Sequence, residues 1–170
     1  MKKVLLLMVA VLMVSAVAAN AIEHIGIYVD AAGTSCTLAS GFNPNVYVVE
    51  KSDGGSTGSR FKVLPGAGNS ILAFNTPWVP VGNISNDLSL AYGSCQNGAF
   101  SLGTILMSLA GPGNLQVVAA DAFASIIYTD CSFGEHPATG GKAYVTVTGN
   151  CEEPVATQPT TWGQVKSLYR

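Results

Sequence analysis

Apolar and polar side chains alternate along residues 22–151 far more often than they recur at helical spacing. The stretch EHIGIYVD, for example, places Ile25, Ile27 and Val29 on one face of an extended chain. This period of two, together with many β-branched and aromatic residues, predicts half-buried β-strands. The predicted strands are 23–30, 45–51, 59–64, 69–74, 87–93, 100–109, 115–119, 124–131 and 142–149.

Turn-forming segments separate these predicted strands at a spacing of roughly ten residues. Asp53-Gly54-Gly55 is typical of a hairpin turn. Residues 100–110 could also form a buried helix, but Gly103 favours a strand. The pattern predicts an all-β fold, an antiparallel β-sandwich of the immunoglobulin-like or jelly-roll-like kind. The separating segments are SDGGSTGS (52–59), PGAGN (65–69), QNG (96–98), GPGN (111–114) and GG (140–141).

The first 21 residues have the order of a secretory signal peptide. Lys2 and Lys3 precede an apolar run over 4–14, and small residues follow it. Cleavage after Ala18 or after Ala21 fits, and we prefer Ala21 because a strand-like run follows. An uncleaved anchor is the alternative, although the run is shorter than the roughly 20 residues of a membrane span. The predicted location is therefore secreted, periplasmic or cell surface.

Composition excludes some partners. Charged residues make up 11% of the chain, its net charge is −2 and its mean hydropathy is +0.36. Loss of the two signal-peptide lysines makes the mature chain more acidic still. Such a chain carries no basic patch for nucleic acid, whereas its apolar character is compatible with self-association.

The four cysteines predict two disulfides in an oxidising compartment. No C-x-x-C pair exists, so a zinc site is not expected. If strands 124–131 and 142–149 formed a hairpin, Cys131 and Cys151 would lie about 30 Å apart, beyond the reach of a disulfide. The strand before Cys95 should end near Cys131, so we expect the disulfides Cys95–Cys131 and Cys36–Cys151.

Three stretches together resemble a group of uncharacterised secreted bacterial proteins. They are IGIYVDAAGTSC near the start, YTDC with GGKAYVTVTGNC near the end of the domain, and the closing TTWGQVKSLYR. The resemblance implies export and a small β-domain. It carries no activity or functional residue across to this chain.

The closing segment has its own pattern. Residues 152–161 are rich in Pro and Thr, which is typical of a linker, and residues 162–170 predict a short amphipathic helix. Ten residues are too few for a stable free helix in water, so it should order only against a partner. We expect a sorting or attachment tail read by an unknown protein or by export machinery, with docking on the domain and disorder as alternatives. The candidate contact residues are Trp162, Val165, Leu168 and Tyr169.

Catalytic and metal chemistry are not predicted. Ser132, Glu135 and His136 in DCSFGEH resemble a nucleophile, an acid and a base, but they are neighbours on one loop, and no G-x-S-x-G elbow is present. Acidic residues beside loops, such as Asp30 and Asp53, lack a calcium-loop pattern. We expect no cofactor and no metal.

Trp78 lies in the loop-like stretch FNTPWVPVG and is either a partner contact or a cap on the core. The sequence as a whole predicts an exported, non-catalytic structural or interaction module. The alternative is a secreted ligand-binding protein or hydrolase with a loop site near His136, whose pocket would be lined by His24, Asp130 or His136.

Overall fold

A computed structural model describes residues 23–147 and 149–151. Those residues form an all-β fold stapled by two disulfides, as the sequence predicts. Among them no helix is long and apolar enough to cross a membrane. The predicted signal peptide, linker and C-terminal helix lie outside the described residues. The strands are β1 His24–Tyr28, β2 Thr37–Leu38, β3 Gly41–Pro65, β4 Asn69–Asn75, β5 Val79–Asn83, β6 Asp87–Leu109, β7 Gly113–Val118, β8 Ile126–Asp130, β9 Glu135–Gly140 and β10 Lys142–Val145.

The strands form the two layers of a β-sandwich, joined through β3. Up to Phe61, β3 pairs along its length with β6, which in turn pairs with β4 and β5. From Lys62 to Pro65, β3 instead pairs with β7, which continues to β10 and β2. The apolar core fills the space between the layers, because alternate side chains of these strands point inward. Its largest aliphatic side chains are Ile25, Ile27, Leu88, Leu102, Ile105, Met107, Leu115 and Ile126.

Two predicted turns are wrong, because the strands bend there and continue. The segment 52–59 lies inside β3, and the segment 96–98 lies inside β6. The two segments face each other, with Ser52 opposite Gly98 and Ser56 opposite Gln96, and the register shifts between these pairs. Glycine-rich sequence in both partners therefore produces a shared bend rather than two hairpins.

Strand β1 is buried on both faces, not half-buried as its alternation predicts. It pairs with the first half of β3 on one side and with β9 on the other. Strand β8 pairs with the second half of β3 and also with β9. Strands β1 and β8 therefore pair with β3 on either side of its bend, and β9 pairs with both of them.

The hairpin considered between 124–131 and 142–149 does not form. Strand β8 pairs with β9, which sequence reasoning took for a loop, and β10 pairs with β7 and β2. Strand β10 ends at Val145, and Thr146 has a positive φ of 63°. The chain thus leaves the sheet before Val147, which is 48% exposed instead of facing the core.

The disulfides join Cys36 to Cys151 and Cys95 to Cys131, the two pairs that the sequence favours. Their Cα separations are 5.2 and 5.4 Å. The hairpin used to reject Cys131–Cys151 does not exist. The pairing instead follows from the layers: Cys36 precedes β2, whose neighbour β10 leads towards Cys151, whereas Cys95 and Cys131 lie at the bend of the larger sheet.

Candidate interaction surface

The outward side of β6, β3 and β8 forms an open surface, which we call the groove face. Strand register places Ala91, Gly58 and Thr129 in one row across the three strands. The next row is Ser89, Arg60 and Ile127. Gly58 is required where β3 meets β6, because a Cβ there would lie 2.7 Å from the carbonyl oxygen of Leu90.

Two neighbouring depressions mark this face, and Thr129 lines both. The larger has a volume of about 470 Å³ and a mainly apolar lining, and the smaller has a volume of about 180 Å³. The larger is lined by Thr57, Ala91, Gly93, Ser94, Cys95, Thr129, Cys131 and Phe133. The smaller is lined by Ser59, Arg60, Ser89, Leu90, Phe123, Ile127, Thr129 and Glu135.

Exposed apolar side chains flank the groove face on two sides. Phe133, at the tip of the turn between β8 and β9, is 80% exposed. On the opposite side β5 presents Val79, at 66%, and Val81, at 68%. Val79 lies directly opposite Ala91 and Val81 opposite Ser89, so both adjoin the rows of the groove face. Exposed apolar groups beside shallow, open depressions are typical of a protein-contact surface.

Arg60, the one cation in the two rows of the groove face, is neutralised by an ion pair with Asp87. Arg60 donates to both carboxylate oxygens of Asp87, with Nε to Oδ1 at 2.7 Å, and its guanidinium lies 4.0 Å from the ring centre of Phe123. The hydrogen bonds from Arg60, helped by its charge, hold the pKa of Asp87 below its usual value. Such a fixed, paired cation offers shape and hydrogen-bond donors more than net charge.

Asp130 organises the turn that carries Phe133. Its carboxylate accepts hydrogen bonds from the backbone N–H of Ser132 and Gly134, each at 2.8 Å, and lies 2.9 Å from Nε2 of His136. These donors lower the pKa of Asp130. They hold Phe133 in a left-handed conformation, with φ at 65°.

This turn does not assemble the hydrolase site that the alternative function requires. Within the described part of the chain, no hydrogen bond joins the Ser132 hydroxyl to His136. His24 lies on β1, only 9% exposed, with Nδ1 at 3.1 Å from the Thr139 hydroxyl. Neither depression is lined by His24, Asp130 or His136. The described residues also contain no group of three or more His, Cys, Asp or Glu side chains that could hold a metal.

Beneath the groove face lies a buried acid cluster, defined by Glu23, Glu50 and Tyr92. Glu50 is 0% exposed, and its Oε2 accepts a hydrogen bond of 2.6 Å from the Tyr92 hydroxyl. Glu23 is 1% exposed and accepts a hydrogen bond from Ser52. Both carboxyl groups are therefore almost completely removed from water.

Burial dominates the electrostatics of the cluster. It raises the pKa of Glu50 to about 7, against the opposing effect of the hydroxyl groups of Tyr92, Ser56 and Ser59. Burial also raises the pKa of Glu23 and, aided by the charge of Glu50, that of Tyr92. Sequence reasoning missed this cluster. One signal was available: Glu50 follows Val46 and Val48 at alternate positions, which places it on their inward face.

The position of Trp78 is compatible with both predicted roles, a partner contact and a cap on the core. It is half-buried, with its ring centre 5.1 Å from that of Tyr92 and 6.2 Å from that of Phe100. Its indole N–H donates to the carbonyl oxygen of Ser101 at 3.0 Å. Its use in partner binding stays a prediction, and the tail residues Trp162, Val165, Leu168 and Tyr169 lie outside the described residues.

The architecture defines a class, a disulfide-stabilised β-sandwich with an open sheet face. The fold is similar to that of a non-cellulosomal cohesin from the hyperthermophilic archaeon Archaeoglobus fulgidus, with a TM-score of 0.50. The likeness covers 75% of this chain and 93% of the cohesin chain at 11% sequence identity, so it concerns the fold alone. No protein-family model matches the sequence, and no curated protein matches it either.

Proposed function

We propose that this chain is an exported, non-catalytic module that binds a partner protein through its groove face. The observation that carries the proposal is the pair of adjoining depressions flanked by Phe133, Val79 and Val81, each at least 66% exposed.

The chemistry of the face favours a protein partner over a small ligand. Both depressions are open, and short Thr, Ser, Ala and Gly side chains line them beside larger ones such as Phe123 and Phe133. Enclosed pockets bury most of a small ligand, and these do not. A protein surface that inserts apolar side chains beside Phe133 and Val81 would cover the flanking residues and exclude water from the floor.

Site-specific photo-crosslinking in producing cells tests the proposal. A benzoylphenylalanine placed at Phe133 or at Val81 should give a discrete crosslinked species. The same group at Leu72, which is 49% exposed on β4 and outside the groove face, is the matched control. Adducts at Phe133 and Val81 but not at Leu72 support the proposal. A product of twice the chain mass would identify the partner as a second copy, and absence of adducts, or equal yields at all three sites, would contradict it.

Export is supported by the oxidised state of all four cysteines, because disulfides persist in oxidising compartments. The tail from residue 152 onward is proposed to address or attach the exported domain. Deleting residues 152–170 should change where the domain is found after cell fractionation and leave its thermal unfolding unchanged. An unchanged location would defeat the addressing role, and a large fall in melting temperature would indicate docking on the domain.

A further inference from the structure

We propose that the Cys95–Cys131 disulfide is a thiol-exchange site for an external dithiol, and that its reduction alters the groove face. The regulatory half rests on the proposed function, whereas the exchange chemistry does not. Four observations carry the inference. They are the exposure of this disulfide, its position in the larger depression, the contacts of its sulfur atoms, and the interactions that hold the fold when the bond opens.

The two disulfides differ sharply in exposure. Cys36 is 1% exposed and belongs to the apolar core, and its partner Cys151 is half-buried against that core. Cys95 is exposed, Cys131 is half-buried, and both line the larger depression. Thiol exchange requires a thiolate to reach a sulfur atom, so access selects Cys95–Cys131.

The surroundings of the two sulfurs distinguish the leaving group from the point of attack. The side-chain amide of Asn97 donates to Cys95 Sγ at 3.7 Å, and this contact stabilises a thiolate that forms there. We therefore assign Cys131 Sγ as the atom attacked and Cys95 as the departing thiolate.

The reaction balances with a dithiol as the reductant. Its thiolate attacks Cys131 Sγ, a mixed disulfide forms, the S–S bond breaks, and Cys95 leaves as a thiolate that takes up a proton. The second thiol of the reductant then displaces Cys131, which also becomes a thiol. Two electrons pass from the dithiol, which is oxidised to its disulfide, to the protein disulfide, which is reduced to two thiols.

Opening this bond releases part of the groove face without dismantling the sandwich. The bond ties the bend of β6 to the turn that carries Phe133. The turn keeps its hydrogen bonds to Asp130, and the Thr57 hydroxyl still bonds the carbonyl oxygens of Thr129 and Asp130 at 3.2 and 3.0 Å. Cys36–Cys151 remains closed in the core. Reduction therefore loosens one wall of the larger depression while the layers stay packed.

Timed reduction of the folded protein tests the exchange site. The protein is exposed to dithiothreitol without denaturant, thiols are trapped with iodoacetamide, and labelled peptides are quantified by mass spectrometry. We expect Cys95 and Cys131 to be labelled at least tenfold faster than Cys36 and Cys151. Equal rates, or faster labelling of Cys36 and Cys151, would overturn the proposal. All four cysteines should be labelled together in denaturant.

Two further measurements test the direction of attack. A short pulse of glutathione should leave its adduct on Cys131 and a free thiol on Cys95, and the reverse distribution would overturn the assignment. Asn97→Ala should slow reduction severalfold, whereas Asn75→Ala, at an exposed position on β4, should not change it. None of these readouts needs a partner. Loss of the crosslink at Phe133 after reduction then tests regulation separately, and an unchanged crosslink would overturn that half.

Discussion

Glu50 shows how a single side chain can set the pH dependence of a fold. Its carboxyl group is wholly buried, its pKa is raised to about 7 by that burial, and the charge of another acid, Glu23, adds to the rise. In the unfolded chain the group titrates near its ordinary value of 4.5. The folded state therefore holds a proton that the unfolded state has already lost, throughout the interval between these two values.

The free energy of unfolding should accordingly fall as pH rises from about 4.5 to 7 and then level off. A shift of this size corresponds to roughly 3 kcal/mol. Glu50→Gln keeps an oxygen that can accept from Tyr92 but cannot ionise, so it should remove most of this slope. Urea unfolding at several pH values between 5 and 8, followed by tryptophan fluorescence, measures the effect.

The exposed Glu135→Gln is the matched control, and it should leave the slope unchanged. Acids with lowered pKa values, such as Asp87 and Asp130, lose their stabilising charge only at lower pH and do not enter this window. A slope in Glu50→Gln equal to that of the natural chain would show that Glu50 is not the titrating group.

At the scale of elements, the sequence predicts which segments are extended better than it predicts which of them pair. Alternation identifies β1, β4, β7 and β8 to within a few residues. Alternation does not reveal that β3 and β6 continue through their glycine-containing segments. A bend shared by two strands has the same composition as two turns. The short β5 was missed, since VPVGN is wholly exposed and has no inward face to produce a pattern.

The candidate site was harder to predict than the strands, for a physical reason. Rows such as Ala91, Gly58 and Thr129 come from three separate segments, and only the pairing register brings them together. Small residues on an outward face carry no local signal. The inward position of Glu50 was visible in the alternation, but its complete burial depends on how the strands pack, which alternation does not give.

Gly55 makes the bend of β3 directly testable. Its φ is +84°, and a Cβ there would lie 2.6 Å from Cys131 Sγ and 2.9 Å from Cys95 Sγ. Gly55→Ala should therefore cost about 1–3 kcal/mol of unfolding free energy through backbone strain and should hinder closure of Cys95–Cys131. Gly54→Ala is the control, because a Cβ at Gly54 meets nothing within 4 Å. Urea unfolding and a free-thiol count measure both effects, and equal behaviour of the two variants would contradict this account of the bend.

For the molecule as a whole, the two disulfides should contribute unequally to stability. Cys36–Cys151 joins residues separated by 115 positions, and Cys95–Cys131 joins residues separated by 36. The longer loop restricts the unfolded chain more, by about 1 kcal/mol in the chain-entropy model. Replacing Cys36, which is 1% exposed, also removes a packed core side chain, whereas Cys95 is exposed.

The Cys36→Ala/Cys151→Ala variant should therefore unfold at lower urea concentration than Cys95→Ala/Cys131→Ala, with each retaining the other bond. Removing the longer bond should lower the unfolding free energy by roughly 5 kcal/mol, and removing the shorter one by roughly 4 kcal/mol. Matched urea curves with thiol counts before and after unfolding measure the order. The reverse order would mean that Cys95–Cys131, at the bend beside the groove face, stabilises the sandwich more than Cys36–Cys151, which closes the longer loop beside the core.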